Sequence, residues 1–289
     1  MSEALESLLE LLDLETIEVN VYRGKHPVEE RQRTFGGQVA AQALMAAGRT
    51  VEQGRVHSLH SYFLRPGDPQ VPILYEVDRI RDGRSFTTRR VVAIQSGRAI
   101  YNMQASFHTD EISFEHQFPM PVVPGPETIA PLNERVRSEW GDVDEWFKRL
   151  HPIDQRFIGE LPWSPNRNRE PYRQIWIRAD GSLPDDPLLH AAVVTYASDM
   201  SLFDAMLAPH TVRWDDGSFM GASLDHCMWF HRDLRADEWL LYDMDSPIAH
   251  AGRGLARGFL FNQSGGLCVS MVQEGLTRVI SPASPTTSP

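Results

Sequence analysis

Gly36-Gly37-Gln38 opens an Ala-rich run, Val39-Ala-Ala-Gln-Ala-Leu-Met-Ala-Ala47, that is small or apolar nearly all round when wound as a helix. Such a stretch has no solvent face, so it predicts a helix buried on most of its surface. Strands are expected after it. Ile73 to Ile80, Phe86 to Ile94 and Ala99 to Phe107 are rich in β-branched and apolar residues. Asp82-Gly83 and Ser96-Gly97 lie between them where tight hairpins need turn residues, so the strands read as antiparallel.

The same order returns later in the chain. Asp185 and Asp186 precede Pro187, a helix-start signature, and Leu188 to Leu207 then reads as one long helix with Leu189, Val193, Tyr196, Met200 and Phe203 on a stripe. Four strands are expected to follow it: Ser223 to Phe230, Glu238 to Asp245, Gly254 to Phe261 and Gly266 to Val272. Gln263-Ser-Gly265 repeats the turn of Gln95-Ser-Gly97, an offset of 168 residues. That offset sets Arg89 opposite Arg257 and, with one extra residue, Gln104 opposite Gln273. Duplication is the expectation, each half being a long helix with an antiparallel sheet. Between the halves, Pro119-Met-Pro-Val-Val-Pro-Gly-Pro126 and Pro131 can sustain neither a helix nor a central strand. The expected division is therefore residues 1–118, a Pro-rich connecting segment at 119–150, residues 151–280, and a frayed tail at 281–289.

Composition limits the function. With 289 residues, 42% of them hydrophobic, the chain has ample material for a packed core. A net charge of -11 repels polyanions and argues against unspecific binding to nucleic acid or anionic lipid. Cys227 and Cys268 are too few for a disulfide framework, which suits a reducing, cytoplasmic compartment. The first residues carry Glu3 and Glu6 where a secretory signal would be basic, and the C-terminus lacks a peroxisomal Ser-Lys-Leu. No run approaches the roughly 18 apolar residues of a membrane span.

Several signatures fail on inspection. Gly221-Ala-Ser-Leu-Asp225 lacks the second glycine of a nucleophile elbow, and His231-Arg-Asp-Leu234 has no kinase motifs around it. No phosphate-cradling glycine loop occurs, and Lys25 and Lys148 are the only lysines. His57 with His60, and His226 with His231, have no carboxylate at metal-ligand spacing, so no metal is expected.

Four blocks carry a resemblance: Arg33-Thr-Phe-Gly-Gly-Gln-Val-Ala-Ala-Gln42, His57-Ser-Leu-His-Ser-Tyr-Phe-Leu-Arg-Pro-Gly67, Ser223-Leu-Asp-His-Cys-Met-Trp-Phe-His-Arg232 and Val272-Gln-Glu-Gly275. In this order, from about Leu8 to Arg278, the chain resembles the acyl-CoA thioesterase II family. The resemblance implies an α+β double hot-dog fold, in which two fused units each wrap an antiparallel sheet around a long helix. It also implies hydrolysis of fatty acyl-CoA to free acid and CoA. An aspartate, a serine or threonine and a glutamine that activate water in the family fall here on Asp199, Ser223 and Gln273; position 223 carries the serine variant.

Read from the residues alone, Asp199 has Thr195, Tyr196, Leu202 and Phe203 as its helical neighbours, an apolar flank that should raise its pKa toward that of a useful base. A thiol leaves as thiolate with little help, its pKa being about 8.5 by analogy with cysteine, so the missing Ser-His-Asp arrangement favours a thioester over an ester or amide. Gly36 and Gly37 are candidate oxyanion donors at a helix start, with His60 near the substrate. His60, Asp225 and His226 are expected to support the site by hydrogen bonding, while Asp204 reads as structural. With lysine nearly absent, the CoA phosphates fall to arginine, with Arg65, Arg232 and Arg253 as candidates. No cofactor beyond the substrate's own CoA is expected, and a homo-oligomer is expected on fold analogy. The rival readings are an enoyl-CoA hydratase of the same fold and a non-catalytic acyl-CoA sensor.

Overall fold

The computed structural model describes residues 2–26, 33–140, 151–162, 164, 169–210 and 217–280. Helix α1 (Glu3–Leu12) starts on Ser2, whose side chain accepts from the Leu5 amide, and buries Leu5, Leu8 and Leu12. Strands β1 (Glu15–Glu18) and β2 (Val21–Gly24) follow, then α2 (Gly36–Gly48), β3 (Arg55–Phe63), β4 (Ile73–Asp82), β5 (Phe86–Gln95) and β6 (Arg98–His108). A short 3-10 turn at Pro126–Thr128 and α3 (Leu132–Trp140) lead to β7 (Ile153–Phe157) and β8 (Tyr172–Ala179). The C-terminal half then runs α4 (Pro187–Ser198), α5 (Leu202–Leu207), β9 (Phe219–Ser223), β10 (Asp225–Phe230), β11 (Leu240–His250), β12 (Arg253–Asn262) and β13 (Leu267–Val279).

All these strands join one antiparallel sheet in the order β1-β2-β4-β5-β6-β3-β10-β13-β12-β11-β8-β7, with β9 paired to β13. Strands β3-β6-β5-β4 on one side and β10-β13-β12-β11 on the other meet at β3 and β10, where Cys227 faces His60. The two halves are thus related by a pseudo-twofold at the centre of the sheet, each with its own long helix. In α2 every residue from Gly37 to Ala47 is buried, as its composition requires. The two helices touch in antiparallel fashion. A Cβ on Gly37 would stand 2.5 Å from the carbonyl oxygen of Tyr196, and one on Gly48 2.4 Å from Leu188. At Gly37, where the neighbour is backbone, glycine is needed for the helices to approach this closely; at Gly48 the neighbour is the end of the Leu188 side chain.

The structure departs from the sequence reading in four places. The expected helix from Leu188 to Leu207 is two helices, because the chain leaves α4 at Asp199 (φ -80°, ψ -6°) and restarts after Ser201 (φ -132°). The expected strand from Ser223 to Phe230 is also two: β9 pairs only with β13, while β10 bridges β13 and β3. The connecting segment carries a helix, α3, that the sequence reading did not expect, and it packs on the sheet. Met120, Val123 and Ile129 pack on the outer cluster of Trp176, Trp239, Leu241, Phe261 and Leu267, and Trp176 Nε1 donates to the carbonyl of Pro124 at 2.9 Å.

The fourth correction concerns the repeat. Each hairpin carries one irregularity, between Ala93 and Ile94 in β5 and between Leu260 and Phe261 in β12. Aligning these sets Arg89 against Ala256 and Ala105 against Gln273, each expected partner being displaced by one residue. A slip of one residue turns a side chain to the other face. Arg89 and Gln273 accordingly point inward, at 1% and 0% exposure, whereas Arg257 pairs with Asp245 on the surface and Gln104 is exposed. The tail at 281–289 lies outside the described residues.

Candidate active site

Asp186 caps α4 by accepting from the amides of Leu188 and Leu189, Pro187 supplies the first helical residue, and the helix delivers Asp199 at its far end. A carboxylate at a helix C-terminus faces the negative end of that helix's dipole. Here the start of α2 compensates, because the backbone N–H of Gly37 donates to the Asp199 carboxylate. Gly36 is equally close, since a Cβ there would lie 2.7 Å from Asp199 Oδ2. The acid therefore sits between the end of one central helix and the beginning of the other.

The sheet brings the remaining groups. Ser223 pairs with Gly275, two residues along β13 from Gln273, so Ser223 and Gln273 emerge on the same face. Gln273 Nε2 donates to Asp199 Oδ1 at 2.6 Å and Ser223 Oγ donates to the same oxygen at 3.3 Å. Burial pushes the Asp199 carboxyl up from 3.8 to about 6, against the pull of Gln273, the Gly37 amide, Ser223 and the Arg33 charge. Gln273 Oε1 is buried without a hydrogen-bond partner.

Asp199 and Ser223 open on a cavity of about 580 Å³ whose walls include Phe35, Val39, Phe63, Ile100, Met200 and Phe203. This combination of one half-buried acid, two neutral hydrogen-bonding groups and an apolar chamber suits activation of water beside an apolar chain. Behind the site, His226 Nε2 meets Ser198 Oγ at 2.8 Å and Tyr242 donates to the carbonyl of Ser198 at 3.0 Å, which fixes the last turn of α4. Burial holds His226 down at about 4, so it is neutral there. Asp225 accepts from the Glu274 amide at 2.6 Å.

Other sequence-predicted residues are placed differently. His60 alternates outward from buried Leu59 and Ser61, stacks edge-on against Trp229 at 5.1 Å, and does not reach the cavity. The Gly37 amide is spent on Asp199, which leaves Gly36 as the glycine at this helix start whose amide remains a candidate for the oxyanion. Arg65 does line the cavity, and its guanidinium donates to the Ala99 carbonyl at 2.7 Å. Arg232 pairs with Glu115 at a second cavity, of about 780 Å³, and Arg253 pairs with Glu274 at 2.9 Å on the wall of neither. Asp204, read as structural, shares the chamber with Asp199. Sequence reasoning assigned no role to Arg33, although it begins a quoted block.

The second cavity occupies the pseudo-twofold position, with Phe230 standing where Phe63 stands in the first and His190 where Val39 does. It lacks the constellation. Ala105 replaces Gln273, and in the N-terminal half the place beyond the helix is filled by buried Arg89, which bonds Thr50 Oγ1 at 2.7 Å and the Thr50 carbonyl at 3.0 Å and pairs with Asp82. Among the described residues no three His, Cys, Asp or Glu side chains gather as a metal site, and no helix is long and apolar enough to cross a membrane.

Comparison with known proteins bears on the chain as a whole. The acyl-CoA thioesterase family model matches residues 147–276, and that of the acyl-CoA thioesterase N-terminal domain matches residues 26–108. Human acyl-coenzyme A thioesterase 8 is 39% identical over 282 residues, covering 93% of this chain and 88% of its own. The crystal structure of acyl-CoA thioesterase II TesB2 from Mycobacterium marinum superposes with a TM-score of 0.79 at 44% identity, covering 95% of this chain and 99% of that one. A hot-dog-fold protein of unknown function from Alicyclobacillus acidocaldarius, at 19% identity, shares the fold with a TM-score of 0.77 over 95% of this chain and 99% of its own. With both halves matched and the relatives aligned almost end to end, this chain belongs to the acyl-CoA thioesterase family and has its double hot-dog fold.

Proposed function

We propose that this chain hydrolyses fatty acyl-CoA to free acid and CoA by direct attack of water, with Asp199 as general base and Ser223 and Gln273 as the groups that orient it. The observation that carries the reading is a half-buried carboxylate, its pKa pushed up to about 6, bonded to Gln273 and Ser223 at the wall of an apolar chamber. At pH 7 such a group is largely ionised yet still basic enough to accept a proton in the transition state.

Water placed between Asp199 and Gln273 gives one proton toward the carboxylate and the other to Gln273 Oε1, the buried acceptor that otherwise has no partner. Its lone pair then faces the thioester carbonyl. Attack forms the C–O bond and a tetrahedral oxyanion, served by the start of α2, where Gly36 leaves space for close approach and the helix dipole favours negative charge. Collapse breaks the C–S bond. The thiolate departs with little need of an acid and takes up the proton that Asp199 accepted, leaving acid and CoA thiol. Alignment of water and thioester in this way can supply on the order of 7 kcal/mol of the barrier. No metal or redox cofactor takes part in the proposed reaction. Arg65 at the cavity wall is the surviving candidate for a CoA phosphate contact.

A cytoplasmic location and a homo-oligomer complete the proposal, the first suggested by two free thiols and the second by fold analogy. The test is incubation with saturated and 2-enoyl-CoA substrates of graded length, following thiol with a thiol reagent and the double bond by absorbance. Thiol release supports hydrolysis. Loss of double-bond absorbance without thiol would mean a hydratase, and binding with neither signal a sensor.

A further inference from the structure

Arg33 lies just ahead of α2 on the cavity wall, and its Nη2 donates to the carbonyl of Gly221 at 2.8 Å across a sequence separation of 188. Gly221 belongs to β9, two residues before Ser223. That strand stands off the main path of the sheet and pairs with β13 alone. Ser223 is therefore held at its C-terminal side by Leu224, whose carbonyl accepts from the Phe63 amide at 2.9 Å and whose amide donates to Glu274, and at its N-terminal side by Arg33.

The guanidinium also acts on Asp199 through its charge. Other ionisable groups reach the acid from each surrounding element: Tyr101 on β6 and Tyr242 on β11, both kept neutral by burial, Asp204 on α5, and neutral His226 on β10 behind the last turn of α4. Arg65, the other arginine on the wall, is bonded to Ala99. Among the described residues, Arg33 is the arginine whose charge bears on the acid.

We propose that Arg33 is a positioning residue for hydrolysis: its bond to Gly221 keeps Ser223 at Asp199, and its guanidinium brings a positive charge to the cavity wall that Asp199 shares. The inference rests on the water-activation mechanism above. It separates two contributions, a neutral hydrogen bond to β9 and a positive charge, which different substitutions remove.

The experiment is thiol release from a long-chain acyl-CoA between pH 5 and 9 by wild type, Arg33→Met, Arg33→Gln and Arg33→Lys, with thermal melting as the folding control. Arg33→Met should lower kcat about tenfold with KM little changed, and should move the acid limb of the pH profile upward by about a few tenths of a unit, the guanidinium being exposed and screened. Arg33→Gln, which can still donate to Gly221, should recover kcat while leaving the limb displaced. Arg33→Lys should return the limb toward the wild-type position. An unchanged kcat and limb in the folded variants would overturn the proposal, as would a loss confined to KM, which would mark Arg33 as a substrate contact. A wild-type protein that releases no thiol at all would instead overturn the function on which this inference depends.

Discussion

Asp199→Asn should make the protein more stable, and the gain should depend on pH. The folded-state pKa of Asp199 is about 6, against 3.8 for an ordinary carboxyl, so the folded protein holds this proton more tightly than the unfolded chain does. Below pH 4 both states are protonated and the residue adds no pH dependence. Between about pH 4 and 6 the unfolded chain releases its proton first, and stability falls as pH rises. Well above pH 6 the folded site carries a half-buried anion, and the loss is complete. Two pKa units correspond to about 3 kcal/mol. The amide keeps an acceptor for Gln273 and Ser223 and never ionises, so it escapes this penalty. Melting temperatures of both proteins at pH 4.5, 6 and 8 should therefore diverge with pH, the variant gaining on the order of 5 °C at pH 8 and little at the acid end. Every other carboxylate is common to both proteins and cancels in the difference. A gap that stays constant across this range, or a variant less stable than wild type at pH 8, would refute the claim that burial strains the acid.

Gln273→Leu removes the 2.6 Å donor to Asp199, a charge-assisted bond of about 1.5–3 kcal/mol, so the acid limb of kcat/KM should rise from near pH 6 by about 1–2 units; a pH–rate profile checks this. Gly37→Ala would set a methyl 2.5 Å from the Tyr196 carbonyl and 2.6 Å from the Phe35 ring, at the contact between the central helices. It should cost roughly 1–3 kcal/mol by overpacking and displace the amide that holds Asp199, so melting temperature and kcat should fall together.

Much of the fold was legible because its signals are local. The composition of α2 announced a buried helix, and Ser96 and Gly97, with φ of 46° and 72°, form the two-residue turn that their identity suggested. The break at Asp199 was not legible. Tyr196-Ala-Ser-Asp-Met-Ser-Leu-Phe203 contains no glycine or proline and keeps an apolar rhythm through the bend, so periodicity continued a helix that the tertiary structure ends. The repeat misled for a related reason. Matching arginine to arginine and glutamine to glutamine ignored one-residue irregularities that decide which face each side chain takes. The proposed hydrolytic constellation departs from the repeat, since residues 49–54 join α2 to β3 whereas 199–224 join α4 to β10. Asp199 and Ser223 both lie in that longer connection. Their expected roles came from the family resemblance, and only the packing of α2 against α4 shows why a glycine amide from the other half meets the acid. His60 and Arg253 were chosen by residue type alone, and strand direction and surface pairing take them away from the cavity.

The most direct measurement is thiol release from a long-chain acyl-CoA at pH 7.5 by Asp199→Asn, with folding verified by melting. The account predicts an intact protein whose turnover is lower by about 10²–10⁴-fold, the usual contribution of a positioned base. Turnover within a few-fold of wild type in that folded variant would contradict it.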